Sequence, residues 1–254
     1  MHFSCKNYIY LHSKGKIMDR RHDPMGRAIA EYHKNGCADK LRVFSPMFDE
    51  DEIPLNTLFR GFDDMPGIER KALDMAKGKV LDVGAGSGCH SLVLQERGMD
   101  VTAIDISPLA VETMRARGVK QVYEKDFFTV REKYDTVLMM MNGIGIVGNL
   151  DGLPRFFRLL DSILAPGGQL LCDSTDIRYV FANKYGSFDF PDTGYYGELT
   201  YRMQYKDTVG DEFPWLYVDA AKLKNAAKQH GYAVEVVLEG GFYDYLARIT
   251  KIES

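Results

Sequence analysis

Ten residues, Lys79-Val-Leu-Asp-Val-Gly-Ala-Gly-Ser-Gly88, constrain this chain more than any others. An apolar run that breaks into three alternating glycines reads as a buried strand entering a tight turn, and residues 89–97 then continue at helical spacing. Glycine accepts positive φ and lets a ligand approach the backbone, while the first turn of the following helix presents unpaired amides. A strand, a ligand-sized turn and a helix in that order belong to an α/β sheet.

The rest of the chain agrees. Strands are expected at 80–83, 101–105, near Val122, at 136–141 and at 169–173, with helices at 89–97, 108–117 and 153–164. In the last helix Phe156, Phe157, Leu160, Ile163 and Leu164 recur at core spacing, and Pro166-Gly167-Gly168 ends it. A helix at 220–229 stops at Gly231, and two further strands close the chain, which makes seven in the main sheet. The 254 residues suffice for one such domain without staples.

Two flanking stretches differ. Ala28, Ile29 and Tyr32 predict a short helix from Pro24 to a stop at Asn35-Gly36, followed by an irregular segment, RVFSPMFDEDEIPLNTLFRGFDDMPG, suited to covering a cleft. Its acids, 49–52, read as a solvated loop, so no metal is expected. Beyond Asp176 the chain is rich in aromatics, and ELTYRMQYK and FPWLYVD flank TVGDE as an inserted antiparallel hairpin. The expected division is an N-terminal extension and cleft-covering segment over 1–70 and a catalytic domain over 71–254, with the insertion at about 176–218.

The turn itself favours one kind of ligand. It has the spacing GxGxG, and Cys89 stands where a dinucleotide fingerprint places its last small residue. Asp82, two residues before the first glycine, would repel a pyrophosphate and favour an ammonium or sulfonium. Asp105, ending the next strand, stands at the distance from the turn at which an acid receives ribose hydroxyls.

These residues resemble the class I methyltransferases that use S-adenosylmethionine (SAM), from about Lys79 to Asp173 and more loosely through the last strands. VLDVGAGSG is similar to the family's first motif, AIDIS to its ribose-binding acid, EKDFF to its adenine-contacting segment, and YDTVLMMMNGIG with LAPGGQLLCDSTD to its fourth strand and the turn into its fifth. The resemblance implies a mostly parallel seven-stranded sheet in the order 3-2-1-4-5-7-6, with helices on both faces and the last strand antiparallel. It also implies that Gly84, Gly86 and Gly88 pass close to the methionine part of SAM, with Asp82 assisting its amino group directly or through water. Asp105 would hold the ribose, Ile106 would pack on the adenine, and Asp126 with Phe127 would meet its edge. Asn142 and Gly143 would border the methionyl end and the acceptor. Core packing is the competing reading for Phe127, and turn formation for Asn142.

Such a cofactor carries its own reactivity, so no catalytic residue can be named from the family. His90 is a candidate by position alone, with a structural contact the simpler reading. Tyr195, Tyr196 and Glu198 form a polar aromatic cluster that either lines the acceptor pocket or packs the hairpin.

A net charge of −4 argues against charge-driven binding to nucleic acid or an anionic membrane, so a small-molecule acceptor is expected. The MNGIG segment lacks the [DNS]PP[YFW] tetrapeptide of base-amine methylation, and no cysteine follows a proline as cytosine-C5 chemistry requires. Cys5, Cys37, Cys89 and Cys172 form no CxxC pair, and the opening residues lack the pattern of a secretory signal, which points to the cytoplasm. Met18 offers a second possible start. Two other functions compete: a noncatalytic SAM-binding or interaction module, and an NAD(P)-dependent oxidoreductase sharing the strand-turn-helix logic.

Overall fold

The computed structural model describes residues 18–192 and 194–253; Cys5 and the residues before Met18 lie outside that range. Helix α1 (Pro24–Asn35) begins where Asp23 accepts a hydrogen bond from the Gly26 amide with Pro24 in the first turn, and ends at Gly36 with φ +70°. Both ends follow the usual logic of a side-chain cap at the start and a left-handed residue at the stop.

The main sheet is built from β3 (Lys79–Val83), β4 (Asp100–Asp105), β5 (Gln121–Glu124), β6 (Tyr134–Met139), β7 (Leu164–Thr175), β11 (Tyr232–Glu239) and β12 (Asp244–Lys251). Their order is β11-β12-β7-β6-β3-β4-β5. The five strands β3 to β7 are parallel, while β12 runs antiparallel to both neighbours. In family numbering this is 3-2-1-4-5-7-6, as the resemblance implies.

Helices α2 (Gly67–Met75) and α3 (Cys89–Glu96) cover one face, where Leu73, Leu94, Val80, Leu138 and Leu171 pack together. Helix α4 (Pro108–Ala116) packs beside them through Val111 and Met114 against Ala103 and Val122. On the other face lie α5 (Leu153–Ile163) and α6 (Ala220–Gln229). The spacing that predicted α5 as a core helix is realised, since Phe156, Phe157, Leu160 and Ile163 are all buried completely. Each such side chain removed from water contributes roughly 1.5–3 kcal/mol.

One expectation is corrected. The segment read as irregular forms β1 (Leu41–Ser45) and β2 (Phe48–Ile53), and the acids at 49–52 lie on β2 rather than in a loop. The strands belong to a second antiparallel sheet, β10-β8-β1-β2, with β8 (Glu198–Tyr205) and β10 (Phe213–Leu216) from the aromatic stretch and β9 (Thr208–Val209) paired to β8. Leu41 pairs with Tyr205 and Phe44 with Arg202, so the partner that makes this segment a strand lies about 160 residues away. Local alternation was hidden because the β2 acids face solvent and pair with β1, Lys40 meeting Glu52 at 2.5 Å and Arg42 meeting Glu50. The N-terminal segment and the insertion therefore form one layer.

Among the described residues no helix is long and apolar enough to cross a membrane.

Candidate active site

The glycine turn sits at the carboxyl end of β3, next to the end of β4. Gly84, Gly86 and Gly88 have φ of +66°, +56° and +81°, and the amides of Gly84 and Ala85 both donate to the Ile104 carbonyl. Gly88 is required by packing, because a Cβ there would lie 2.9 Å from Val119 Cγ2. Gly84 and Gly86 differ. A Cβ on Gly84 would meet nothing within 4 Å, and one on Gly86 only Ile29 Cδ1 at 3.8 Å. Side chains there would fill a cradle that the backbone leaves open.

Two acids flank the cradle in different ways. Asp105 is half-buried at the end of β4, with Oδ2 accepting the Gly86 amide and Oδ1 the Ser107 amide, each at 2.9 Å. Burial raises its pKa to about 6; the Ser107 and Gly86 amides oppose that rise, and the nearby charge of Asp23 adds to it. Asp82 is 1% exposed and accepts Ser91 Oγ at 2.6 Å, behind the turn rather than beside it. Burial raises its pKa also, against the effects of His90 and Ser91. Its expected part, assisting an amino group directly or through water, starts from this buried position.

Ile106 is half-buried next to Asp105. Asp126 accepts the Phe128 amide at 2.8 Å and so caps a short turn, Phe127–Thr129. The Phe127 ring is 1% exposed and packs on Phe156 with centroids 5.9 Å apart, so the ring belongs to the core. The core-packing reading of this ring is the one its burial supports.

Asn142 occupies the left-handed region at φ +56° and joins three elements. Its amide donates to both oxygens of Asp173, its Nδ2 donates to the Leu216 carbonyl at 3.2 Å, and its Oδ1 accepts Ser174 Oγ at 3.1 Å. Gly143 follows it with a Cβ position only 3.0 Å from Met139 Cβ. The turn reading of Asn142 is realised here, with its side chain tying the sheet ends to the second sheet.

Sequence reasoning missed a buried ion cluster. Glu69 on α2 bonds His90 Nε2 at 2.8 Å and also Arg60, and the three side chains are 7%, 6% and 12% exposed respectively. Burial opposes the imidazolium, but the effects of Cys89, Glu69 and Asp82 outweigh it and hold His90 well above the usual histidine range. Burial likewise opposes ionised Glu69, which His90 and Arg60 nevertheless pull below the usual carboxylate range. Arg60 Nε is buried and has no hydrogen-bond partner among the described residues. The Leu58 carbonyl, two residues earlier, accepts Ser87 Oγ in the glycine turn, which ties this segment to the cradle. An open glycine cradle, an acid at ribose distance and a spare guanidinium N–H together fit a nucleoside carrying an amino-acid carboxylate.

Tyr195 and Tyr196 do come together, with centroids 4.5 Å apart. Their polar atoms are engaged: Tyr195 with Asp219 at 2.7 Å, Tyr196 with Asp176 at 2.7 Å, and Glu198 Oε1 accepts the Leu150 amide at 2.9 Å.

A family model described as a methyltransferase domain matches residues 30–237. A SAM-dependent methyltransferase from Bacteroides fragilis, solved in complex with S-adenosyl-L-homocysteine (SAH), is 51% identical, covers 94% of this chain and 99% of its own, and superposes with a TM-score of 0.89. The ubiquinone biosynthesis O-methyltransferase of Xanthomonas oryzae pv. oryzae is 31% identical over 104 residues, which are 39% of this chain and 43% of that protein. The chain thus matches less than half the length of this curated relative. The CcbJ methyltransferase of Streptomyces caelestis, at 13% identity, a TM-score of 0.55 and coverage of 78% of this chain and 98% of its own, shares the fold alone.

Proposed function

We propose, from the premise that the chain belongs to the SAM-dependent methyltransferases, that it methylates a small molecule enclosed between the main sheet and the second, antiparallel sheet. The observation that carries this reading is the union of β1 and β2 with β8 and β10 into one layer joined to the carboxyl ends through Asn142. A roof built from two segments far apart in the sequence suits an acceptor that can be enclosed, and suits a polymer poorly. The curated relatives' printed name, a ubiquinone biosynthesis O-methyltransferase, supports a small acceptor. The absence of a base-amine tetrapeptide after β6 supports it too.

SAM supplies an electrophilic methyl on a positive sulfur, so the chain's work is binding, orientation and exclusion of water. In this reading Gly84 and Gly86 admit the methionyl part, and Arg60 donates its spare N–H to the carboxylate. Asp82 favours the positive charges from behind the turn, while Asp105 receives the ribose hydroxyls. Ile106 and the backbone at Asp126-Phe127 bound the adenine, and Asn142 with Gly143 separates cofactor from acceptor. Tyr196 borders the acceptor, whereas Tyr195 and Glu198 hold the roof. The division into residues 1–70 and 71–254 remains part of the proposal, with 41–53 acting as roof. So does a cytoplasmic setting, supported by the separated cysteines.

Coupled detection of SAH release from SAM tests this directly, with a panel of small hydroxyl, amine and carboxyl acceptors set against transfer RNA, duplex DNA and a histone mixture. Turnover confined to small acceptors is expected. Turnover on a polymer alone would overturn the reading, and SAM binding without turnover on any acceptor would favour a noncatalytic module.

A further inference from the structure

Residues alternate across a strand, so Cys172 and Ser174, which are buried on the α5 and α6 side, leave Asp173 on the opposite face at the end of β7. Asp173 is half-buried, and both its oxygens share one donor, the Asn142 amide, at 2.9 and 3.0 Å. A carboxylate has about four acceptor positions, so most of its capacity is left over. Burial pushes its pKa up to about 6 against the Asn142 amide, with the charge of Glu69 adding to the rise and His90 countering it.

The stretch after β10 runs beside this acid. Asn142 holds the Leu216 carbonyl, and Ser174 Oγ accepts the Val218 amide at 3.0 Å. Leu216 and Val218 are fully buried, and Tyr217 between them turns the other way. Burial raises the pKa of its phenol, the hydrogen bond with Tyr201 lowers it, and the charges of Tyr179, Asp173 and Asp51 add to the rise. The Tyr201 hydroxyl lies 3.4 Å from that of Tyr217, with the two rings edge to face at 6.4 Å. Arg60 and His90 are both bonded to Glu69.

We propose that Asp173, with Tyr201 and Tyr217, forms the acceptor site for an amine, and that Asp173 is the base that takes its proton. The inference rests on the methyltransferase reading above and names the acceptor class within it. Phenol rings attract an ammonium through their faces, and the carboxylate supplies the counter-charge. An anionic acceptor would be repelled by Asp173, while a neutral alcohol would offer it one hydrogen bond but no counter-charge. A bound ammonium first loses one N–H proton to Asp173. The freed nitrogen pair then forms the bond to the transferred methyl carbon as the carbon–sulfur bond breaks, leaving its electron pair on sulfur. Charge balances, since the positive sulfur becomes neutral and the methylated nitrogen becomes positive.

Calorimetry on the enzyme saturated with SAH tests the site without turnover. The probes are ethylamine, benzylamine and tyramine, each against the alcohol of the same skeleton. At least one amine should bind about tenfold tighter than its alcohol or more. Asp173→Asn should erase that preference while SAH affinity stays within about twofold, which certifies the fold. Tyr217→Leu should weaken the amine and leave SAH binding in place. Alcohols binding as tightly as amines, a preference that survives in Asp173→Asn, or an SAH complex that takes none of the amines would each overturn the amine site alone. Failure to bind SAH at all would instead remove the methyltransferase reading beneath it.

Discussion

Asp105 Oδ2 accepts the Gly86 amide at 2.9 Å, so the acid at the end of β4 fixes the loop at the end of β3. The residue expected to hold a ribose also sets the cradle beside it. Asp105→Ala should therefore weaken SAH binding by about tenfold or more, a loss of at least about 1.4 kcal/mol, while the circular dichroism spectrum is kept. Affinity within about twofold of the parent would show that Asp105 does not touch the nucleoside.

The same acid gives binding a pH dependence. Because its pKa is raised to about 6, in the presence of Asp23 and against the Ser107 and Gly86 amides, it is mostly protonated at pH 5. Two ribose hydroxyls donate best to the ionised form, so SAH affinity should rise as pH increases through about 6 and level off above about 7. In the ligand-free protein the sign is opposite. A raised carboxyl stabilises the fold fully below its unfolded pKa, and that contribution fades as pH rises through about 6, for Asp105 and Asp173 alike. Glu69, which is depressed, loses its contribution only on further acidification, and His90 only at higher pH. Calorimetry at pH 5.0 and 7.5, repeated on Asp105→Asn, checks the assignment: the variant should lose most of the difference.

Glu69 holds two buried cations at once. Glu69→Gln leaves Arg60 and His90 without their counter-charge and should destabilise the protein by about 3–5 kcal/mol in urea unfolding, the cost of breaking a buried ion pair from one side. A change below about 1 kcal/mol would mean that water already reaches the cluster.

Gly145 lies against the chain's single tryptophan, where an added Cβ would fall 2.2 Å from Trp215 Cε2. Gly145→Ala should cost about 1–3 kcal/mol through overpacking and shift the tryptophan emission. Unchanged emission and melting would indicate that the roof moves aside freely.

The main sheet was legible because its signal is local. β3, β4 and β6 and the middle of β7 each carry a short apolar run, and α5 carries its core face in its own spacing. The glycine turn and Asp105 were legible because close backbone approach and ribose binding demand particular residue types at fixed distances along the chain. What stayed hidden depends on pairing across the chain. β1 becomes a strand through β8, and His90 finds Glu69 on a different helix 21 residues away. Phe127 shows the reverse case, in which a residue inside a recognisable segment was claimed by the core. Asp173 lay in a quoted motif, yet only the position of Tyr217, brought from the far end of the insertion, gives it a distinct chemistry.

A crystal structure with SAH bound tests the central claim most directly. The account predicts the ribose hydroxyls on Asp105, the methionyl part across Gly84 and Gly86, and the carboxylate on Arg60 Nε. A nucleoside bound away from Asp105, or a glycine cradle still empty in the complex, would contradict it.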